Sequence, residues 1–530
     1  MSAVQNPEMN VMSYPDEFIE VAKREGKVVT RFPPEPNGHL HLGHVKAMVI
    51  DYGFADYANK VMGLESKCIL RFDDTNPKAE KEDFCDKIGE AVEWLGYNSS
   101  AITYTSDYFD KIFEFAVTLI RNGDAYVCEQ THEEIKESRN YINNSKPKPS
   151  PYRNRPVEES LTLFENMSEG MYPENKFTLR MKGDLDSPNP CFWDTVLYRI
   201  IDTPHHRTGT KYKIYPMYDI SHPIVDSLEG VTHSFCTTEY EIRRDLYYWF
   251  LDKLGLRKPY VYEFSRLEVE NNTLSKRKIL AMINDGLVSG WDDPRLLTVS
   301  GLKNRGYTAA AVKKFCSETG ITKHTSVLTY DKLENSIRND LEEESSRRVI
   351  VVNPIKVNVL NANEPINCTL YDFPKYMKQI KENNLNDLKE KHKVERHIVM
   401  GNVIYLASTD FRKVDDKNYY GLAPNKIVRL KYGPFVKCVS FTDDEINVEI
   451  VEPENPKKVK GILNWVSNDY TPLALKHYEI LTETKVTAYG EPNMPTDPTV
   501  YQFEKYGYYI HDSSDGSYIR VTELCGIKKV

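Results

Sequence analysis

An α/β domain built on a parallel sheet, then a helical stretch, then an all-β region is the fold class that this 530-residue sequence predicts. Three observations carry it. Lys27–Phe32 is an apolar-to-basic run of strand type that Pro33 to Gly38 cannot continue, and a helix-like pattern starts near His41. Residues 67–72 are a second strand candidate, followed over 78–96 by Phe84, Ile88, Val92 and Leu95 at helical spacing. Beyond Arg347 the period becomes two. Ile446, Val448 and Ile450 alternate with polar residues, as do the runs 356–360 and 427–431, with Pro, Gly and Asn turns between.

Taken in order, residues 1–26 read as a helical lead-in. Strand, helix, strand, helix over 27–110 gives the first half of a Rossmann-like nucleotide fold, a parallel sheet covered on its faces. Ligands in such folds lie outside the carboxyl ends of the strands, where His41–His44 (HLGH) and Asp73 fall. Over 111–205 the periodicity is mixed, and KPKPSPYRNRPVEE (146–159) combines prolines, cations and a tyrosine. That segment reads as a flexible surface loop. The strand pattern resumes near Lys211 within 206–271. Residues 272–345 are helical, including the turns of 307–316, and 346–530 are β-rich.

The length suits three or four domains. The 40% hydrophobic and 28% charged fractions are those of a soluble globular protein. No run of 18 apolar residues occurs, and MSAVQNPEMNVMSYPDEF has neither a basic nor an apolar signal region. Nine cysteines are scattered without a CxxC pair, which fits a reducing compartment and argues against a zinc ribbon. A cytoplasmic protein with no membrane partner is expected.

Two stretches carry chemistry. In RFPPEPNGHLHLGHVKA (31–47) the helix start offers unpaired N–H groups and a positive dipole end to an anion. His41 and His44 share one face, so both imidazoles can reach one phosphate, and Gly43 lets a bulky ligand approach the backbone. Standing alone, HxGH reads more often as a solvated helix start. LSKRK (274–278) places three cations and one hydroxyl in five residues, suited to neutralising a developing pyrophosphate.

Together HLGH and LSKRK resemble the paired HIGH and KMSKS motifs of class I aminoacyl-tRNA synthetases. RFDDTNP (71–77), YPMYD (215–219), LEGVTHSFCTTEY (228–240), YEFSRL (262–267) and GWDDPRL (290–296) resemble the marks of the glutaminyl/glutamyl subclass, in its order and over nearly the whole chain. The resemblance implies an acceptor-end domain inserted at 111–205, where the cations and ring face of 146–159 would meet a splayed single strand, and two anticodon-reading β-barrels at 346–530. Helical residues 272–345 would carry the KMSKS-like loop. The partners implied are ATP, Mg²⁺, L-glutamine and tRNA(Gln). A net charge of −9 then predicts a basic surface segregated onto one side.

The site residues follow by resemblance. His41, His44, Ser275 and Lys276 would stabilise the phosphoryl transition state. ATP would be held by Glu35, Pro36, Asn37, His41, Leu42, Gly43, His44, Val45, Lys46, Ala47, Thr237, Arg266, Leu267, Leu274, Ser275 and Lys276, with Mg²⁺ bridging phosphates and no protein metal ligand. Asp73 would take the amino acid's ammonium and Arg31 its carboxylate end, with Tyr218, His222 and Cys236 near the side-chain amide. Taken alone, Asp73 also reads as a cap of the helix from Lys78, a role that Asp74 fills as well. Arg338, Gln502 and Lys505 match anticodon contacts.

Glutamine against glutamate is the finest distinction. PEPNG, SPYRNRPVEE and GLKNRGYTAAAVKKFC (301–316) resemble glutaminyl enzymes. So does Cys236, where glutamyl relatives place an arginine; with cysteine the pocket would have no cation there to offset a glutamate carboxylate. Val261 departs, standing where glutaminyl enzymes have glutamine. Tyr420 and Gly421 replace a Lys-Arg pair of bacterial members. The alternative is a glutamyl enzyme of the archaeal or eukaryotic type. A non-catalytic RNA-binding relative and a small-molecule adenylyltransferase are the readings from other classes.

Overall fold

The structure, a computed structural model, describes residues 12–139, 146–372 and 394–524. The chain forms two compact units: Met1–Met282 with Thr298–Ser300 and Lys313–Leu328, and Ile283–Leu297 with Gly301–Val312 and Thr329–Val530.

In the first unit Lys27–Phe32, Glu65–Phe72 and Ala101–Tyr104 form one parallel ladder, and His233–Thr237 with Tyr260–Phe264 another. Thr232 joins them. Its N–H donates to the Val29 carbonyl at 2.8 Å and its Oγ1 accepts the Val29 N–H at 2.8 Å. The five strands therefore run third, second, first, fourth, fifth, and the order reverses between Lys27–Phe32 and His233–Thr237. The last five residues of both Lys27–Phe32 and Glu65–Phe72 are buried, as a sheet covered on both faces requires. Helix Leu42–Lys60 packs on these strands through Val45, Met48 and Val49. The lead-in helix Asp16–Glu25 ends at Gly26, whose φ of 68° suits glycine. Its Phe18 is fully buried among Phe54, Phe235 and Tyr262.

The expected helix over 78–96 is shorter, Glu82–Trp94. Residues 77–79 form a turn instead, and the Glu80 carboxylate accepts the Asn76 N–H at 2.9 Å. Ile88, Val92 and Leu95 are buried as expected; Phe84 is half-buried. The strand pattern resuming near Lys211 is not yet the parallel sheet. Ala125–Cys128, Thr178–Met181, Val196–Ile200 and Ile214–Pro216 form an antiparallel sheet, and the parallel sheet returns only at His233. This sheet shares a core with helices Phe109–Arg121 and Val157–Ser168, where Phe113 stacks on Phe164. Within 146–159, three of the four cations that a single strand was expected to meet are ion-paired. Lys146 pairs with Asp186 at 2.6 Å, Arg153 with Asp194 at 2.9 Å and Arg155 with Glu129 at 2.5 Å.

The helical stretch holds Lys276–Asn284, Val299–Asn304, Ala309–Ser317 and Tyr330–Glu344. The helical turns expected over 307–316 are the helix Ala309–Ser317, before which Thr308 Oγ1 accepts the Ala311 N–H at 3.2 Å.

The β-rich region forms two seven-stranded sheets. In one, the edge strands are Ile462–Leu463 and Val466–Ser467; in the other, Arg347–Arg348 and Ile350–Val352. Each pair of edges is separated in the chain only by Asn464 and Trp465, or by Val349. A sheet whose two edges follow each other so closely must curl almost into a barrel. Ile446 and Val448 point into the first sheet's core, as their alternation predicts, beside Trp465. Phe503, Tyr509 and Tyr518 fill the second. Among the described residues no helix is long and apolar enough to cross a membrane.

Candidate active site

Both histidines sit where the first strand's carboxyl end passes into helix Leu42–Lys60. His41 precedes the helix with extended backbone, and its Nδ1 accepts the Gly43 N–H at 3.1 Å. His44 Nδ1 accepts the His41 N–H at 3.0 Å, so the cap is reciprocal. Because each Nδ1 accepts, each ring carries its proton on Nε2. The ring centroids lie 3.9 Å apart. Burial first, then the charge of Lys276, lowers His41 to about 3; burial, His41 and Lys276 hold His44 well below its ordinary value. Both are neutral N–H donors.

Three expectations for this stretch need correcting. The helix amides are largely spent: Gly43 N–H on His41 Nδ1, and His44 and Val45 N–H on the His41 carbonyl at 2.8 and 3.2 Å. Imidazole N–H groups, not backbone, are what the site offers an anion. Gly43 makes room for the His41 ring, since a Cβ there would lie 2.9 Å from its Cε1. Leu42 and Val45 are fully buried and Lys46 keeps 2% exposure, so their side chains face the interior and not a nucleotide.

Lys276 reaches back across 241 positions to the first loop. Its Nζ donates to the Glu35 carbonyl at 2.9 Å and to Asn37 Oδ1 at 2.7 Å, while Asn37 Nδ2 donates to Glu35 Oε2 at 2.6 Å. Burial lowers the Lys276 ammonium to about 8. Leu274 Cδ1 lies 4.0 Å from the Cβ position of Gly43, and the Ser275 N–H donates to Thr273 Oγ1 at 3.4 Å. Arg266 pairs with Glu239 at 2.8 Å, and Thr237 Oγ1 donates to the same carboxylate at 3.0 Å. Pro36 and Leu267 are buried beside them, and Ala47 is half-buried. Sequence reasoning missed Glu239; its only signal was its place two residues after Thr237.

Tyr218, His222, Cys236 and Val261 line one small cavity of about 20 Å³. The Tyr218 ring stacks on His222, centroids 4.7 Å apart. Asp73 Oδ1 accepts from Thr105 Oγ1 at 3.1 Å, and burial, then the Glu35 charge, raises its carboxyl to about 6. It caps no helix: the next one starts after Lys81 without a side-chain cap. Asp74 does not cap that helix either. Its carboxylate accepts the Ser106 N–H at 2.8 Å and Oγ at 2.6 Å in the 3-10 turn Thr105–Tyr108.

Arg31, expected to present its guanidinium to a substrate carboxylate, has no exposed surface. Its donors go to Asp226 Oδ1 (3.0 Å), the Phe235 carbonyl (2.8 Å), Ser234 Oγ (2.7 Å) and His222 Nε2 (2.7 Å). Asp226 also takes Arg71, Ser234 Oγ at 2.8 Å and the Tyr247 hydroxyl at 3.0 Å, and Arg71 pairs with Glu229 at 2.7 Å. The guanidinia of Arg31 and Arg71 beside Asp226 hold its carboxyl far below the usual range. The expectation that the wall at Cys236 lacks a cation is therefore corrected. Arg31 Nη2 lies 3.8 Å from its Sγ, and Arg243 and Arg244 line the cavity too. Each is paired, with Asp226, Asp219 and Glu263 respectively. The positive charge is cancelled rather than missing.

Among the described residues one group brings metal-ligand atoms within 4.8 Å: Asp74, His205 and His206. His205 Nδ1 accepts two backbone N–H groups at 3.1 and 3.3 Å, so its Nε2 carries the proton and donates to the Asp74 carbonyl at 2.9 Å. A protonated nitrogen is no ligand, and Arg207 stands 4.0 Å from Asp74.

In the second unit, Arg338 Nε donates to the Glu523 carbonyl at 2.7 Å. Gln502 is buried and donates to the Tyr508 hydroxyl at 3.0 Å; Lys505 pairs with Asp410 at 3.5 Å. Gly421 explains one departure. A Cβ there would lie 2.6 Å from the Asp410 carbonyl, so no side chain fits. Tyr420 beside it is 55% exposed.

Residues 27–343 match the family described as tRNA synthetases class I (E and Q), catalytic domain, and 345–455 match that family's anti-codon binding domain. The chain is 46% identical over 451 residues to "Glutamine--tRNA ligase" of Lupinus luteus, covering 83% of this chain and 54% of that protein. It is 46% identical over 452 residues to "Glutamine--tRNA ligase, cytoplasmic" of Arabidopsis thaliana, with the same coverage. It therefore spans about half the length of both plant proteins. Against "Glutamine--tRNA ligase" of Vibrio vulnificus it is 39% identical over 543 residues, covering 94% of each chain.

Proposed function

The chain belongs to the class I glutamyl- and glutaminyl-tRNA synthetases, and from that membership we propose that it ligates L-glutamine to tRNA(Gln) in the cytoplasm, consuming ATP. In the first step a carboxylate oxygen of glutamine attacks the α-phosphorus of ATP and pyrophosphate leaves. In the second, a terminal ribose hydroxyl of the tRNA attacks the adenylate's carbonyl carbon and AMP leaves. Neither step needs a covalent bond to the protein, so catalysis is positioning and electrostatics.

One observation carries the reading: two neutral imidazoles, ring centroids 3.9 Å apart, keep their Nε2–H groups while both feel the Lys276 charge. His41 and His44 donate to phosphate oxygens, and Lys276, steered by Asn37 and the Glu35 carbonyl, neutralises the departing pyrophosphate with Ser275 beside it. Thr237, Arg266 and Leu267 border the nucleotide. Mg²⁺ would be held by the phosphates and water, because the imidazole nitrogens of His41 and His44 that face the site carry protons, and it would supply positive charge there. Asp73 accepts from the amino acid's ammonium, and the Tyr218 hydroxyl accepts from its amide. The antiparallel insertion takes the acceptor end, and the two curled sheets, with Arg338, Gln502 and Lys505, take the anticodon.

Glutamate is disfavoured because Arg31, Arg243 and Arg244 are each neutralised by a carboxylate, so a second anion in the cavity finds no unspent cation. Val261 is the position that favours the glutamyl alternative. Esterification of tRNA with labelled glutamine and glutamate, side by side, decides between them. Wild type is expected to use glutamine, and Cys236→Arg to shift kcat/KM toward glutamate. Preference of the wild type for glutamate would overturn the proposal.

A further inference from the structure

Lys46 lies on the same helix as His44, at the inner side of its second turn. It is a lysine in the core. Its side chain keeps 2% exposure, and among the described residues no carboxylate lies within 4 Å of its ammonium. An ammonium taken from water without a counter-ion costs several kcal/mol. Methionine would fill nearly the same volume without that cost. Stability gives no reason for a lysine here.

Among the described residues the ammonium's hydrogen bonds go to one residue, Ser265. Nζ donates to the Ser265 carbonyl at 2.8 Å and to Ser265 Oγ at 3.0 Å, and it stands 5.8 Å from the centre of the Phe264 ring. The Ser265 N–H donates to the Thr322 carbonyl at 2.7 Å. Every polar group of Ser265 is thus held. The chain leaving it carries Arg266, then Leu267–Val269 in a parallel ladder with Ser326–Leu328, then Leu274 to Lys276. Lys46 and Ser265 are 219 positions apart. Their bond ties the helix that presents His44 to the segment that presents Arg266 and leads to Lys276.

We infer that Lys46 is a positioning residue, which through Ser265 sets the distance between the two halves of the ATP-phosphate clamp. This rests on the proposed ATP chemistry. Lys46 touches no substrate, contrary to its place in the expected nucleotide set. Burial lowers its ammonium to about 8, which fits a charge kept in the interior at a cost. Misplacing a clamp by about 1 Å is enough to cost about 10²-fold in rate.

The test uses the full chain with Lys46→Met, Ser265→Ala and the double variant. ATP affinity is measured directly, and kcat/KM is measured for ATP and for glutamine in tRNA charging. For Lys46→Met we expect kcat/KM for ATP to fall about tenfold or more with weaker ATP binding, KM for glutamine to stay within about twofold, and Tm to hold or rise. Ser265→Ala should move the same quantities in the same direction by less, and the double variant should be no worse than Lys46→Met. ATP parameters unchanged within about twofold in Lys46→Met would overturn the inference. So would a parallel loss for ATP and glutamine with a lower Tm, or additive effects in the double variant. If Lys46→Met does not fold, Ser265→Ala decides by the same split between ATP and glutamine. Failure of the wild type to charge tRNA with glutamine would instead sink the proposed function, while ATP affinity still reads the role of Lys46.

Discussion

The proposed phosphate clamp and the charged floor beneath the proposed amino-acid cavity use polar groups in opposite ways. At the clamp, His41 and His44 spend Nδ1 on backbone N–H groups and keep Nε2–H, while Lys276 is held by a carbonyl and an amide oxygen. At the floor, Arg31, Arg71 and Asp226 are buried and face one another, with the half-buried Glu229 paired to Arg71. One set leaves its donors unspent for a ligand, and the other cancels its charge inside the protein. The clamp should therefore govern rate with little effect on folding, and the floor should govern folding. Four measurements can break or sharpen this contrast.

The largest effect belongs to the floor. Asp226→Asn leaves two buried guanidinia without their shared carboxylate, and is expected to destabilise by about 3–5 kcal/mol. Denaturant unfolding checks it; a loss under about 1 kcal/mol would mean that the floor is not a closed charge network. Next comes the clamp. His41→Ala or His44→Ala should lower kcat by about 10²-fold or more, about 2.7 kcal/mol, while the unfolding midpoint barely moves. A shift in unfolding as large as that of Asp226→Asn would erase the distinction.

Titration gives a smaller effect. The Asp73 carboxyl is raised to about 6, so as pH falls through about 6 it gains a proton and loses the charge proposed to hold the ammonium. The Lys276 ammonium is lowered to about 8, so as pH rises through about 8 it loses its charge. Then kcat/KM for glutamine should drop on the acid side and kcat/KM for ATP on the alkaline side, each by about tenfold per unit at the limit. His41 and His44 are neutral throughout, so neither adds a limb near 6.5. Initial rates from pH 5 to pH 10 check this. The smallest effect is the exposed counterpart of the floor. Lys60 and Asp56 pair at 2.8 Å on a helix surface, and Lys60→Ala should change stability by less than about 0.5 kcal/mol.

How much of this was legible in the sequence depends on the range of the interaction. The strand, loop and helix around HLGH were readable because hydrophobic period and turn residues act over a few positions. The alternation of Ile446 and Val448 was readable for the same reason. Gly43 was misjudged although it is local, because its role depends on a χ angle that folds the His41 ring back over it. Glu239 was invisible, since its carboxylate matters only once Arg266 arrives beside it.

By itself the sequence determined the order of the elements, their periods and the gathering of HLGH and LSKRK into one resemblance. Tertiary structure alone decided what each charge does. Arg31 lies 195 positions from Asp226 and Lys46 lies 219 from Ser265, and a side chain's partner at such separation is set by the packing of whole sheets and helices. Exposure follows the same packing. A guanidinium in water would bind a carboxylate substrate, whereas the same group enclosed beside Asp226 has its charge cancelled and its donors spent.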